Sequence, residues 1–372
     1  MLSKIEQDDL QTILRSVSEY KQDIKGRKYL ITGGGGFIGS WICDTLYKLG
    51  GNIICVDNFS SGSERNIEHL IGKKRFYLHK CDISKDFNSA FDLVLFSDVN
   101  YVIHLGARAS PKDYQEHPIE TLDVSYIGTK NCLEFASQTR SKFLFASTSE
   151  IYGSPPIADI PTNEEYWGNV NPHGYRSMYD EGKRIGETLC FVYSDILETN
   201  KNVQVRIARI ANTYGPRIDS KFASSGRALI RFIDQGLKGE PITIYKLRDN
   251  KGNLGPSIDH TRSFLYITDQ VTGLIKLLHA NNLYLTDKED LRVMNIGSET
   301  ETSIDELAFL IKELTGNKSE VIIAEPNYNI KDDPPRRRLD ISRAKEYLNW
   351  GPRISLREGL EKTIEWYKSK IY

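Results

Sequence analysis

Short apolar runs alternate with longer amphipathic stretches through the first 210 residues of the chain. Short runs bounded by turn residues are typical of buried strands, and apolar residues repeating every three or four positions predict helices. We expect strands at residues 28–32, 53–57, 75–80, 101–105, 143–147 and 204–210. We expect helices near residues 38–49, 120–138 and 176–198. This alternation predicts a parallel sheet that is covered by helices on both faces.

The pattern loosens after about residue 213. Residues 246–261 are polar and rich in turn formers, which predicts a loop. Helical spacing returns near residues 303–316, 341–348 and 355–369. The expected fold is α/β, a Rossmann-type doubly wound parallel sheet with a smaller mixed α/β substrate lobe. The expected domains are a dinucleotide-binding domain at 28–212 and a substrate domain covering most of 213–372, with part of 263–300 returning to the first domain.

Residues 1–27 form an extension ahead of the first predicted strand. Its apolar residues recur at roughly helical spacing: Leu10, Ile13, Leu14, Val17 and Ile24. The extension is too charged for a signal peptide. Two structures remain open, an amphipathic helix that packs on the body or on a partner, and a frayed tail.

The charge balance narrows the function classes. The 372 residues include 49 Lys and Arg against 50 Asp and Glu, which gives no support for a nucleic-acid or membrane-surface protein. The five cysteines are widely spaced and the seven histidines show no metal-ligand spacing. No apolar run approaches the length of a membrane span. We therefore expect a reduced cytoplasmic protein without a structural metal.

A glycine-rich segment follows the first predicted strand. Gly33, Gly36 and Gly39 come directly after that strand and open a helix. This arrangement places a pyrophosphate on the amides of a helix N-terminus. Asp57 ends the second strand, where a carboxylate accepts the adenosine ribose hydroxyls and repels a 2′-phosphate. The pattern favours NAD over NADP, and Asp82, after the third strand, could accept from the adenine amino group.

A second group of residues carries chemistry. Tyr179 and Lys183 stand four residues apart in a helical stretch, so both side chains share one face. A nearby cation favours the phenolate, which predicts a lowered pKa for Tyr179. Thr148, Ser149 and Glu150 follow the fifth strand, at the sheet edge where ligands bind. A dinucleotide site with an activated phenol indicates hydride chemistry on an alcohol.

These residues lie within longer motifs. The motifs are Ala146-Ser-Thr-Ser-Glu-Ile-Tyr-Gly153, Tyr166-Trp-Gly-Asn-Val-Asn-Pro172, Tyr179-Asp-Glu-Gly-Lys-Arg184, Ala208-Arg-Ile-Ala-Asn-Thr-Tyr-Gly-Pro-Arg217 and Asp332-Asp-Pro-Pro-Arg-Arg-Arg-Leu-Asp340. In them the chain resembles the extended short-chain dehydrogenases/reductases that act on nucleotide sugars, from about residue 28 to 370. Within that family it most resembles the UDP-glucuronate decarboxylases.

The resemblance implies a role for each matching residue. Tyr179 would be the base, Lys183 its tuner and ribose ligand, and Thr148 a hydrogen-bond donor to the C4 oxygen. Further catalytic candidates are Ser149 and Glu150. Contacts to the nucleotide sugar are expected from Arg176, Asn212, Arg217, Arg227, Tyr245, Arg262 and Arg337. The remaining NAD contacts are expected from Phe37, Ile38, Asn58, Ile83, Leu105 and Ala107.

The resemblance also implies a homodimer. The helices matching 120–138 and 176–198 of two subunits would pack as a four-helix bundle. The apolar residues expected to form it are Ile127, Cys132, Leu133, Phe135, Leu189, Phe191, Val192 and Ile196. We expect no nucleic-acid or membrane partner.

Three reactions can follow oxidation at C4: loss of carbon dioxide, loss of water, or epimerisation. Glu150 argues against a plain 4-epimerase, and Ser149 argues against the dTDP-glucose type of 4,6-dehydratase. Neither residue excludes the GDP-mannose type. Arg176, three residues before Tyr179, can pair with a substrate carboxylate, which favours the decarboxylase. The dehydratase ranks second, the epimerase third, and a binding module without turnover last.

Several positions depart from the resemblance. Ser125 and Arg231 occur where relatives have Asn, and Ala211 occurs where they usually have Phe. The loop before Arg262 is expanded to residues 246–261. Arg231 and this loop lie in the region expected to hold the nucleotide, where Tyr245 could stack on a base.

Overall fold

A seven-stranded parallel sheet forms the centre of the protein. The computed structural model describes residues 2–85, 87, 96–194, 200–218, 227–246, 260–281, 283–284 and 290–370. Its strands are β1 Lys28–Thr32, β2 Asn52–Asp57, β3 Phe76–Lys80, β4 Tyr101–His104, β5 Lys142–Thr148, β6 Val205–Ile210, β7 Thr213–Tyr214, β8 Ile242–Tyr245, β9 Thr261–Ser263, β10 Leu265–Tyr266, β11 Val293–Ile296, β12 Glu301–Ser303, β13 Val321–Ala324 and β14 Arg336–Arg337. The large sheet has the order β11-β6-β5-β4-β1-β2-β3, and every neighbouring pair is parallel.

Helices cover both faces of this sheet. The helices are α1 Lys4–Ser16, α2 Lys21–Ile24, α3 Phe37–Lys48, α4 Pro111–Glu116, α5 Pro118–Asp123, α6 Thr129–Thr139, α7 Ser177–Tyr193, α8 Ala228–Lys238, α9 Ile267–His279, α10 Ile304–Thr315, α11 Ser342–Leu348 and α12 Leu356–Lys370. A π-helical segment, Val124–Gly128, joins α5 to α6. The side chains of successive strand residues lie in different hydrophobic cores on opposite faces of the sheet, as those of Leu30 and Ile31 do. Both faces are therefore buried, as expected of a parallel sheet.

The six strands predicted in the first half are present within one or two residues of their expected ends. The seventh strand of the sheet, β11, was missed because Asn295 interrupts its apolar run. The structure buries Asn295 and satisfies its side chain, which donates to the carbonyl oxygens of Thr162 and Asp340 and accepts from Tyr152. Asn295 is acceptable as a buried polar residue in this edge strand because its tertiary neighbours satisfy its hydrogen bonds.

Among the described residues after position 212, three small sheets are present. They pair β10 with β7, β13 with β8, and β12 and β14 with β9. The predicted helices of this half are present as α10, α11 and α12. Most of the predicted loop 246–261 lies outside the described residues. The division into two domains stays a prediction, and β11 is a segment after residue 213 that joins the large sheet.

The N-terminal extension forms a helix that packs on the body. A capping box between Ser3 and Glu6 begins α1. Leu10, Ile13 and Val17 are buried in the same core as α3 and α9. The fully buried carboxylate of Asp9 accepts hydrogen bonds from the Tyr266 hydroxyl at 2.5 Å and the Lys362 ammonium at 3.0 Å. Of the two predicted alternatives, the structure shows the packed helix rather than a frayed tail.

The described part of the chain shows no membrane-spanning helix, no metal-binding cluster and no disulfide. None of its helices is both long and apolar enough to cross a lipid bilayer. No cluster of His, Cys, Asp and Glu in these residues has the geometry to hold a metal ion. All five cysteines are buried and none forms a disulfide.

Changing Ile13 to Ala should lower the free energy of unfolding by about 2–5 kcal/mol, because the substitution leaves a cavity between α1, α3 and α9. Denaturant unfolding of the purified protein measures this loss. Gln11→Ala, on the exposed side of the same helix, is the matched control and should change the stability little. Equal, small effects of both substitutions would show that α1 does not dock on the body.

Candidate active site

A cleft of about 750 Å³ opens at the carboxyl ends of the parallel strands. In open α/β sheets this edge is where ligands bind, because the loops that follow the strands leave a crevice there. One wall comes from the turns after β1, β2 and β4, and the facing wall comes from residues 210–218, 227–231, 245, 260–264 and 328–337. Residues predicted from opposite halves of the chain therefore share one cavity.

The glycine turn after β1 is too tight for side chains. A Cβ atom on Gly39 would lie 2.1 Å from the carbonyl oxygen of Gly33, so helix α3 can approach the turn only through a glycine. Gly33 itself has a φ of +69°, in the region that favours glycine. Gly36 caps α3 without a side-chain hydrogen bond, which leaves the first amides of the helix available to a ligand. This geometry fits a dinucleotide pyrophosphate.

The two carboxylates predicted for the adenosine end line the same part of the cleft. Asp57 accepts hydrogen bonds from the amides of Gly35 at 2.9 Å and Phe59 at 2.8 Å. Burial nevertheless raises its pKa above the ordinary value. Asp82 accepts from the side chain of Asn58 at 3.3 Å, so these two predicted cofactor residues are in contact. The other predicted cofactor contacts also line the cleft: Phe37, Ile38, Ile83, Leu105 and Ala107.

Thr148, Tyr179 and Lys183 meet at the end of β5. Tyr179 and Lys183 lie one turn apart on α7, and both line the cleft. The Lys183 ammonium donates to the carbonyl oxygen of Ala146 at 2.8 Å. The Thr148 hydroxyl lies close enough to the Tyr179 phenol to lower its pKa, against the larger effect of burial. The base, its hydroxyl neighbour and the lysine predicted from sequence are thus brought together.

The expected lowering of the Tyr179 pKa is wrong for the protein alone. Burial, and then the negative charge of Glu150, raise the pKa of Tyr179 to about 12. Burial also lowers the pKa of Lys183 from 10.5 to about 8. A nearby cation favours the phenolate, but the loss of solvent on burial disfavours both charged groups, the phenolate and the ammonium.

Tyr114 is a cleft residue that the sequence analysis missed. Its ring stacks on the ring of Tyr179, with centroids 5.3 Å apart and an interplanar angle of 4°. Its hydroxyl oxygen is buried and has no hydrogen-bond partner among the described residues. The available signal was its place in α4, shortly after the carboxyl end of β4.

Buried ion pairs form the floor of the cleft. Glu150 lies between Arg176, with which it forms a short ion pair, and Arg337, at 2.5 Å. Burial favours the neutral acid, yet the two arginines hold the pKa of Glu150 below its ordinary value. Asp333 lies between Arg176, at 3.2 Å, and Arg262, at 2.8 Å. These five residues, here called the Glu150 network, all line the cleft.

Asp333 and Asp180 were not predicted. Against the effect of burial, Arg262 and then Arg176 lower the pKa of Asp333 to about 2. Asp180 lies 3.6 Å from Arg176, and burial raises its pKa to about 7. Asp180 lies within the motif that begins at Tyr179, and Asp333 lies within the motif that begins at Asp332. Their places in these motifs were the available signal.

The Glu150 network leaves hydrogen-bond donors unused. The Nε and Nη2 atoms of Arg337 are buried without a partner among the described residues, and the same holds for Nε of Arg176. Buried donors without acceptors cost free energy, typically about 1–3 kcal/mol each. An anionic or hydroxylated ligand in the cleft would supply the missing acceptors.

Two predicted site residues are placed differently. The Arg217 guanidinium pairs with Glu6 at 2.9 Å and with Asp44 at 2.6 Å. Two carboxylates hold its charge, yet Arg217 lines the cleft and its Nη1 atom is buried without a hydrogen-bond partner among the described residues, so its contact with a substrate stays a prediction. Ser149 is buried and is not among the described residues that line the cleft, so its position gives no support to the catalytic role, which stays a prediction.

The other predicted substrate residues all line the cleft. The Asn212 side chain donates to the carbonyl oxygen of Ser263 at 3.2 Å. Arg227 is the N-cap residue of α8, and its guanidinium lies 3.4 Å from the carbonyl oxygen of Ala109. Tyr245 ends β8 with a guanidinium over its ring. Their contacts with a substrate stay predictions.

Comparison with known proteins identifies the family. The sequence model described as GDP-mannose 4,6 dehydratase matches residues 30–363. The chain belongs to this family of extended short-chain dehydrogenases/reductases. It is 40% identical to UDP-glucuronic acid decarboxylase 1 of Xenopus tropicalis, over 93% of this chain and 73% of that protein. It is also 40% identical to UDP-glucuronic acid decarboxylase 3 of Arabidopsis thaliana, over 92% and 90%.

Solved structures show the same fold. UDP-glucose 4-epimerase of Thermotoga maritima, solved with UDP-glucose, has a TM-score of 0.77 and 28% identity over 93% of this chain and 100% of that one. UDP-glucuronic acid 4-epimerase of Bacillus cereus, solved with UDP-glucuronic acid and NAD, has a TM-score of 0.74 and 26% identity over 92% and 99%. The predicted Rossmann-type fold and family are confirmed.

Lys183→Met should change how stability depends on pH. The folded protein releases the Lys183 proton near pH 8, whereas the unfolded chain holds it up to about pH 10.5. Between these values the unfolded state binds more protons, so the stability of the wild type should rise with pH relative to the variant. The difference should reach about 3 kcal/mol.

Denaturant unfolding of both proteins from pH 7 to 10.5 measures this difference. Lys48→Met, at an exposed position, is the control substitution. A difference between wild type and Lys183→Met that stays flat or falls with pH would show that burial does not depress the Lys183 pKa.

Proposed function

We propose that this protein is an NAD-dependent UDP-glucuronate decarboxylase that acts through a 4-keto sugar. One observation carries the proposal: a buried phenol with its hydroxyl partner shares a cleft with an arginine that has two unused donors. The first group suits oxidation of a sugar alcohol, and the second suits an acidic sugar. The two decarboxylases at 40% identity support the same reaction.

The cofactor would lie along the turn after β1. The open amides at the start of α3 suit the pyrophosphate, and Asp57 suits the adenosine ribose hydroxyls. Because a 2′-phosphate would meet the Asp57 carboxylate, the site favours NAD over NADP. Bound NAD would supply the acceptor for the hydride that leaves C4.

Tyr179 would take the proton of the C4 hydroxyl as the hydride leaves, so that the C4 alcohol becomes a ketone. Thr148 would donate a hydrogen bond to the same oxygen. Because the pKa of Tyr179 is raised in the protein alone, the phenol is protonated at neutral pH. A positive charge near the phenol would have to lower this pKa for Tyr179 to act as the base. Lys183, on the same helix face, would hold the ribose beside the phenol.

Once C4 is a ketone, the sugar carboxylate is β to it. The C5–C6 bond can then break, carbon dioxide leaves, and the bonding electrons move onto the C4 oxygen. Tyr179 and Thr148 are placed to hydrogen-bond that enolate oxygen. Return of a proton to C5 gives the 4-keto pentose, which can be released or reduced to the xylose form.

The acidic sugar needs a cation inside the cleft. Arg337 is the stronger candidate, because Nε and Nη2 lack partners while Nη1 holds Glu150. Arg176, the residue favoured by sequence, already contacts Glu150, Asp333 and Asp180. We therefore assign the substrate carboxylate to Arg337 and assign to Arg176 the task of holding Glu150 in place.

A 4,6-dehydratase is the second candidate. The family model carries that description, and Glu150 is a carboxylate in the same cleft as Tyr179, as removal of the C5 proton would require. Incubation of the protein with UDP-glucuronate and NAD, followed by mass spectrometry, tests the proposal. Loss of carbon dioxide is expected. An unchanged mass with UDP-glucuronate, or loss of water from a neutral sugar nucleotide, would overturn it.

Tyr179→Phe should leave NAD binding intact and lower turnover by roughly 10²–10⁴-fold, because the proton acceptor is removed while the ring stays. Steady-state product formation and calorimetric titration with NAD measure the two effects. Tyr175→Phe removes a hydroxyl from a ring that is 51% exposed and is the matched control. Near-normal turnover of Tyr179→Phe would rule out Tyr179 as the base.

Arg337→Met should weaken binding of UDP-glucuronate by roughly 10- to 150-fold, because a hydrogen bond to a charged group is worth about 1.5–3 kcal/mol. UDP-glucose lacks the carboxylate, so its affinity should change much less. Arg176→Met, titrated with the same two ligands, tests the alternative partner. Selective loss of UDP-glucuronate binding in Arg176→Met, but not in Arg337→Met, would return the carboxylate to Arg176.

We also propose a homodimer through α5, α6 and α7. Cys132, Leu133 and Phe135, expected in this interface, lie instead in the chain's own core. The exposed apolar residues of these helices and of the π-helical segment are Ile119, Leu122, Tyr126, Ile127, Ile185 and Phe191. Ile196, also expected there, lies outside the described residues. Exposed apolar residues on neighbouring helices are typical of an interaction surface.

Sedimentation velocity at micromolar concentration should show a dimer. Ile185→Glu should shift the protein to a monomer, because it places a charge within the apolar surface. Ile157→Glu, at another exposed apolar position outside these helices, is the control and should remain dimeric. A monomeric wild type would contradict the proposed assembly.

A further inference from the structure

Three side chains form a packed group on the substrate side of the cleft. The Arg231 guanidinium lies over the ring of Tyr245, with its central carbon 3.9 Å from the ring centroid. The ring of Tyr328 meets Tyr245 edge-on, at 6.2 Å and 72°. All three residues line the cleft, and we call them the Arg231 cluster. Nothing in the proposed chemistry at C4 uses them.

The cluster is held by regular structure. Arg231 lies on the first turns of α8, and Tyr245 is the last residue of β8, which packs against α8. The Nη2 atom of Arg231 donates to the carbonyl oxygen of Thr243 on the same strand at 3.1 Å. Tyr328 lies close enough to Arg231 for the guanidinium to lower the pKa of the phenol, against the larger effect of burial. The guanidinium plane is therefore fixed rather than free to swing.

One donor of the cluster is left over. Arg231 is 7% exposed, and its Nε atom is buried without a hydrogen-bond partner among the described residues. Burial also lowers the Arg231 pKa below its ordinary value, so the cation is poorly solvated. A buried donor of this kind is stabilised when a ligand supplies an acceptor.

The contact with Tyr245 decides what can bind there. A guanidinium at 3.9 Å covers the face of Tyr245 on its own side, so a flat ligand group cannot stack on that face directly. The guanidinium carbon also lies 5.2 Å from the centroid of the Phe232 ring. The N–H bonds of a guanidinium point within its plane, so a base that accepts from Nε must lie edge-on to the group and not stacked on it. A base in this position would bring a ring carbonyl within reach of that donor.

We infer that Arg231, held flat by Tyr245, contacts the nucleobase of the substrate and selects a base that carries a ring carbonyl. This inference rests on the proposed function, since it requires a nucleotide sugar. Uracil and guanine have such a carbonyl, whereas adenine has none. A phosphate is the competing ligand for an arginine, and it would make affinity independent of the base.

The test compares UDP with ADP, which share a ribose and a diphosphate and differ in the base. Calorimetric titrations are made with protein saturated with NAD, so that ADP is kept from the cofactor site. Wild type should prefer UDP. Arg231→Met should weaken UDP by about tenfold or more, because the donor to the ring carbonyl is lost, and should change ADP little.

Arg231→Lys keeps the charge and loses the plane, so it should resemble Arg231→Met. If either substitution weakens UDP and ADP equally, Arg231 binds phosphate and the inference is wrong. If UDP binding is unchanged or improves, the base stacks on Tyr245 without Arg231 and the inference is also wrong. If Arg231→Lys binds UDP as tightly as the wild type does, the inference is likewise wrong.

Tyr245→Leu provides a second route if the Arg231 variants do not fold. It removes the ring that holds the guanidinium flat and should also weaken UDP selectively, and an unchanged UDP affinity would contradict the inference. If the wild type binds UDP and the variants bind it equally well, the role of Arg231 is refuted and the proposed function is not. A wild-type protein that binds none of UDP, GDP and dTDP refutes the proposed function and this inference together.

Discussion

The ion pairs around Glu150 are the constraint on which the cleft depends. Glu150 follows β5 of the large sheet, whereas Arg262, Asp333 and Arg337 belong to the C-terminal part of the chain. Removing one partner from a buried pair leaves an uncompensated charge, typically at about 3–5 kcal/mol. The charges therefore fix the two walls relative to each other. The same charges contribute to the electrostatic field at Tyr179, whose pKa is raised by burial and then by Glu150.

This arrangement ties specificity to stability. Each carboxylate of the Glu150 network is shared by two arginines, yet Arg337 retains two donors and Arg176 one. A network that satisfied every donor would be more stable and would have nothing to offer a ligand. Unused buried donors at a cleft are the usual sign that part of the folding stability has been given up for binding.

A second group of buried ion pairs joins the N-terminal helix to the wall of the cleft. Glu6 of α1 and Asp44 of α3 share the guanidinium of Arg217, which also lies over the ring of Trp41 at 4.1 Å. Arg217 directly precedes Ile218, and the backbone here belongs to the cleft wall. A segment outside the family match thus helps to hold the wall of the site, because its carboxylate satisfies a cation that the fold buries.

The sequence alone determined the periodic elements and the chemistry attached to motifs. Strand runs, the glycine turn and the Tyr179–Lys183 pair depend on local spacing, so the six early strands, the fold class and the residues around Thr148 followed from it. Tertiary structure decided what local spacing does not encode. It fixed the partners of Arg217 and Arg176, the burial of Ser149 and Cys132, the strand around Asn295 and the stacking of Tyr114. It also reversed the expected Tyr179 pKa, because desolvation depends on everything packed around a group and not on its neighbours in sequence.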